Sequence, residues 1–134
     1  MDDATLPPRL LAESLGAGLS CAQARETARA VLAGLDLPAA GVDDVLTVVT
    51  EMISNADRHA GGVTAFQIAA RAGVVTVEVR DRSTAPPRIK PWAPGEPGGF
   101  GWRLVNQLAT TDVRIHHDGK TVTATLTAAQ TGRS

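Results

Sequence analysis

The sequence contains no tyrosine, two phenylalanines and two tryptophans. Its core must therefore be aliphatic, and no aromatic platform lies among its basic residues. It also lacks a surplus of either charge: the net charge is −1, with acidic and basic residues mixed. No basic stripe is present, which argues against direct nucleic-acid binding, and the near-neutral balance does not favour a membrane surface. Cys21 is the only cysteine, so an internal disulfide is impossible, and a single thiol fits a reducing cytoplasm. No apolar run approaches the ~20 residues that a membrane span requires. The N-terminus, MDDATLPPRLLAESL, starts acidic and has no long apolar centre, which argues against a signal peptide. A single cytoplasmic domain over residues 1–134 is expected, with a frayed tail at about 128–134.

What is present is periodicity. Residues 9–13 suit a short edge strand. From Ser20, which suits an N-cap, Ala24, Ala28, Val31 and Leu32 recur at helical spacing until Gly34 and Pro38. A second helix is expected from Asp43 or Asp44, where acids suit the first turn, to about Ala60, with Gly61 and Gly62 stopping it. Residues 63–71 and 74–80 alternate as strands, and Ala72-Gly73 between them reads as a hairpin turn. Residues 82–98 hold five prolines and read as a long loop. A third helix at about 102–109 and a second hairpin, 113–117 and 120–126 around Asp118-Gly119, complete the pattern. Hairpins rather than crossovers join the strands. The fold class expected is α+β, a two-layer sandwich with a mostly antiparallel or mixed sheet and helices on one face.

Three stretches carry polar groups where packing does not ask for them. In TEMISNADRHAGG, residues 50–62, Glu51, Asn55 and His59 follow one another at steps of four. Each step drifts roughly 40° around a helix, so the three climb from the solvent side toward the apolar arc of Val45, Val49, Met52, Ile53 and Ala56. Burying such groups costs about 1–3 kcal/mol each unless they find partners, and a polar ligand at the helix edge would supply them. A neighbouring loop would serve equally well. Asp81 ends the strand VVTVEVR and either accepts from a ligand amine or caps a turn. Gly98, Gly99 and Gly101 precede the third helix, where glycines let backbone N–H groups approach an anion or simply turn the chain.

The order of these stretches is more specific than any one of them. TEMISNADRHAGG, VEVRDRS and GGFGWRLVNQLA resemble the three nucleotide-binding boxes of the Bergerat-fold ATPases, which include gyrase, a class of heat-shock chaperones, histidine kinases and anti-sigma-factor serine kinases. The resemblance runs from Ser20 through DGKTVTATL and is strongest to the small anti-sigma kinase-like regulators of actinobacteria. It implies ATP and Mg²⁺ as cofactors. It gives Glu51 the role of general base, Asn55 that of a Mg²⁺ and phosphate ligand, Arg58 a place near phosphate, and Asp81 the adenine amino group. Gly99 and Gly101 correspond to the third-box glycines, His59 to a structural position, and residues 83–98 to the ATP lid. It further implies an anti-sigma antagonist or a sigma factor as partner and, by analogy, a homodimer.

The match is incomplete. The second box of the family reads D-x-G-x-G, but Ser83 and Ala85 stand where its glycines would be. Glu96-Pro97-Gly98 replaces the arginine that some kinases of the group carry before the third box; Arg88, Lys90 or Arg103 are the candidates to substitute. Two functions therefore follow: a serine/threonine protein kinase acting on an antagonist protein, or a nucleotide-responsive binding module without catalysis. A histidine kinase is disfavoured, since the chain has no room for a phosphoacceptor helix. Trp102 is expected in the core, and Trp92 either there or on a partner surface. His116-His117 has no third ligand at a metal-like spacing and is expected to end a strand.

Overall fold

A computed structural model describes residues 10–15, 19–59, 62–85 and 100–127. In chain order the elements are β1 (Leu10–Leu15), α1 (Cys21–Leu32), α2 (Ala39–His59), β2 (Val63–Arg71), β3 (Val74–Asp81), α3 (Phe100–Leu108), β4 (Thr110–His116) and β5 (Gly119–Thr127). The strands form one sheet in the order β1-β2-β3-β5-β4, and every neighbouring pair is antiparallel. The fold is the expected α+β sandwich, with an antiparallel rather than a mixed sheet.

Local chemistry accounts for the boundaries. Ser20 caps α1 through a capping box: its hydroxyl accepts from the Gln23 N–H at 3.1 Å, and the Gln23 side chain accepts from the Ser20 N–H at 2.9 Å. α2 begins at Ala39, four residues before the expected start, because Val42 N–H already donates to the Pro38 carbonyl at 3.1 Å. Pro38, read in the sequence as the close of one helix, thus opens the next, and Ala39-Ala40 continues as good helix formers do. At the other end Gly62, at φ +104°, donates to the Ala56 carbonyl at 3.0 Å and turns the chain away. Ala72 and Gly73 both take positive φ, 53° and 81°, as a two-residue hairpin turn requires.

The core lies between the helices and one face of the sheet. α2 contributes Val45, Val49, Ile53 and Ala56; β3 contributes Val75, Val77 and Val79; β5 contributes Val122, Ala124 and Leu126. In β2 the register shifts between Val63 and Ala65, a bulge that lets Val63 face inward together with Phe66, Ile68 and Ala70. Trp102 and Val105 of α3 complete the layer, as expected for Trp102. The opposite face of the sheet carries Thr121, Thr123, Thr125 and Thr127 of β5 beside Thr76, Glu78 and Arg80 of β3. β4 starts three residues before the expected strand, at Thr110. No helix among the described residues is long and apolar enough to cross a membrane.

Candidate functional site

Glu51 and Asn55 sit on the flank of α2 that turns toward α3. Both are half-buried. The Glu51 carboxylate lies against Gly101 in the first turn of α3, so close that Oε1 occupies the space a Cβ on residue 101 would need. The wheel alone placed Glu51 outside the apolar arc, on the solvent side; the packing of α3 against α2 gives that edge a neighbour. A carboxylate at a helix N-terminus is also favourably placed in the field of the free N–H groups there. Asn55 lies one turn further along the same flank, since residues four apart share a face. Arg58, another turn on, is exposed. The side chain of His59 lies outside the described residues, as do Gly99, Trp92, Arg88, Lys90 and the expected lid beyond Ala85.

Asp81 lies at the end of β3 on the core side, in line with Val75, Val77 and Val79. Its carboxylate is already engaged. Oδ1 accepts from the Ser83 N–H at 2.9 Å, the turn-capping bond that the sequence offered as the plainer role for this residue. Both oxygens also meet the ammonium of Lys120, at 3.0 Å from Oδ1 and 2.9 Å from Oδ2. The two side chains are 2% and 4% exposed, and they are the buried charged residues of the described chain. Sequence reasoning missed Lys120. The signal was there: Lys120, Val122, Ala124 and Leu126 share one parity on β5, so the lysine must point inward. The register then sets Lys120 directly opposite Asp81. Gly119 lets the strands close here, since a Cβ on it would overlap the Asp81 carbonyl oxygen.

A cavity of about 330 Å³ opens at this strand end, lined by Thr64, Arg80, Asp81, Arg82, His116, Asp118, Gly119, Lys120 and Thr121. Arg80 and Thr121 belong to the helix-free face, so the cavity reaches around the end of the sheet. Glu51 and Asn55 do not line it. His116 ends β4, as expected, and its Nε2 lies 2.9 Å from the Thr121 hydroxyl. Among the described residues no group of three or more His, Cys, Asp or Glu side chains is placed to hold a metal ion. Arg103 is exposed on α3.

The structure thus brings Glu51 to Gly101 at the α2–α3 seam and Asp81 to Lys120 at the end of the sheet. No curated protein matches the chain. Among solved structures, it is similar to the RsbU and RsbW domains of Rv1364c from Mycobacterium tuberculosis, with a TM-score of 0.62 and 21% identity. The match covers 90% of this chain and 32% of that one, so the chain spans about a third of the longer protein, and at this identity the likeness is one of fold. The family model of the histidine kinase-like ATPase domain matches residues 19–126, from the cap of α1 almost to the end of β5. The chain belongs to the histidine kinase-like ATPase domain family.

Proposed function

We propose that this domain binds ATP and acts as an anti-sigma-type serine/threonine protein kinase, with an anti-sigma antagonist protein as its substrate. One observation carries the reading: the Glu51 carboxylate is seated on Gly101, which joins the first and third boxes of the resemblance at one seam. In the reaction a serine hydroxyl of the partner attacks the γ-phosphorus. The bond from that phosphorus to the β,γ-bridging oxygen breaks, ADP leaves, and Glu51 takes the serine proton. Phosphoryl transfer depends mostly on positioning and charge neutralisation, so a general base held between two helices suits it.

Asn55 is the residue that would hold Mg²⁺. The donor set fits a hard cation that takes few protein ligands and keeps water and phosphate oxygens, because the flank offers one amide oxygen and no cluster of carboxylates among the described residues. Arg58, exposed one turn further along α2, supplies positive charge toward the phosphates. Asp81 receives the amino group of the base.

A second reading has its own support. Ser83 and Ala85 replace the second-box glycines, and Lys120 already takes much of the acceptor capacity of Asp81. Both favour a nucleotide-responsive binding module without catalysis. Incubation with labelled ATP, Mg²⁺ and an antagonist domain separates the two readings. Transfer of label that Glu51→Gln abolishes supports the kinase; a stable complex with no transfer supports the module. ATP binding itself is checked by thermal shift, since a ligand at a hundred times its Kd stabilises a folded protein by about 2.7 kcal/mol.

A further inference from the structure

The proposed phosphoryl transfer makes no use of most of the cavity at the end of the sheet, whose walls include neither Glu51 nor Asn55. We propose that the helix-free side of this cavity is a separate ligand site for a phosphate monoester, held by Arg80 and Arg82. The site does not rest on the nucleotide reading.

The sheet itself brings the donors together. Asp81 turns to the core, so Arg80, one residue earlier on β3, turns to the helix-free face. Directly opposite Arg80 on β5 stands Thr121. On β2 the register passes from Val63 against Asp81 to Ala65 against Arg80, and the skipped residue, Thr64, joins the cavity wall. Arg82, just past the end of β3, lines the same cavity. Within the lining, Lys120 and Asp81 neutralise each other at 2.9 Å. The charges left open are two guanidiniums against the single carboxylate of Asp118. Neither guanidinium is committed elsewhere. Arg80 meets Glu78 only at 3.9 Å, with both side chains reaching solvent, a pairing that contributes little. Arg82 has no hydrogen-bond or ionic partner among the described residues.

Guanidinium groups favour carboxylates and phosphates, with which they form charge-assisted, bidentate hydrogen bonds. The hydroxyls decide between the two. Thr64, Arg80 and Thr121 come from three different strands, and donors converging from several sides suit three tetrahedral oxygens better than one flat carboxylate. Thr121 is buried, and its hydroxyl lies 2.9 Å from Nε2 of His116. With the imidazole proton on Nε2, the ring donates to the hydroxyl oxygen, and the hydroxyl proton is left for the anion. The cavity holds about 330 Å³, at the lower end of the range for small-ligand pockets, which suits a phosphate and a short group that carries it.

The test is a titration followed by amide NMR shifts, with glycerol phosphate and a phosphoserine peptide against sodium chloride at matched ionic strength. Saturable shifts at Thr64, Arg82, Gly119 and Thr121 are expected with the phosphates alone. Arg80→Gln and Arg82→Gln should each weaken binding about tenfold, and both side chains are exposed, so the fold is kept. Asp118→Asn removes the opposing charge and should strengthen binding by up to about fivefold. Arg29→Gln, exposed on α1, should change nothing. Tighter binding of the peptide assigns the site to a phosphate borne on a protein, and equal binding to one borne on a small molecule. Absence of saturation overturns the site. So does an equal loss in Arg29→Gln, weaker binding in Asp118→Asn, or a set of shifts confined to Glu51, Asn55 and Gly101, which would assign the phosphate to the seam alone.

Discussion

The two carboxylates that the resemblance assigns to the site are held in place by opposite means. At the α2–α3 seam a carboxylate rests where a side chain is missing: Glu51 fills the space above Gly101. At the end of the sheet a carboxylate rests where a charge is supplied: Asp81 is clasped by Lys120 and by its own turn. The first arrangement is one of shape. It can change by rotating a flexible side chain. The second is one of charge in a dry place, and it cannot change without uncovering an ion. The proposed general base thus sits on the seam that can adjust, and Asp81, on the floor at the end of the sheet, stays fixed.

The comparison breaks first at the floor. Lys120→Met should destabilise the fold by about 3–5 kcal/mol, read as a lower urea midpoint, because it leaves a buried charge unpaired. Adding Asp81→Asn removes the orphaned charge and should recover most of that loss. If the single variant costs no more than the double, the ion pair is not what holds this end of the sheet. Next comes Gly119→Ala. Its Cβ meets the Asp81 carbonyl, which is backbone and cannot swing aside, so a loss of about 1–3 kcal/mol is expected in the same denaturation measurement. The smallest effect on stability belongs to the seam. Gly101→Ala gains about 0.5–1 kcal/mol of helix preference and gives much of it up in pushing Glu51 away, so the midpoint should barely move. Label transfer to the antagonist should nonetheless collapse. A large loss of stability in Gly101→Ala with transfer intact would erase the distinction between seam and floor.

Much of the fold was legible because one periodicity dominated each stretch. The capping box at Ser20, the alternation of VVTVEVR and the Ala72-Gly73 turn each pointed to the element that formed. What misled was punctuation shared between neighbours: Pro38 reads as the end of one helix and opens another in the structure. The seam was legible only by resemblance, since nothing in the spacing of Glu51 and Gly101 shows that two helices will bring them together. The floor was half legible. Asp81 stands out because it follows a strand, whereas Lys120 looks like an ordinary hairpin charge. Parity along β5 turns Lys120 inward, and the strand order, which lays β5 beside β3, then sets it opposite Asp81.

The threonines of β5 carry a last implication. Thr121, Thr123, Thr125 and Thr127 alternate with Lys120, Val122, Ala124 and Leu126, so the strand is two different surfaces laced through one another. One extra residue inserted at Asp118 would shift the lacing by a single step. Four hydroxyls would then turn into the oil, three aliphatic chains and an ammonium would turn out to water, and Asp81 would face Gly119 in place of its lysine. The tip of this hairpin therefore has its length dictated from within, and an insertion there would be felt at the opposite side of the sheet.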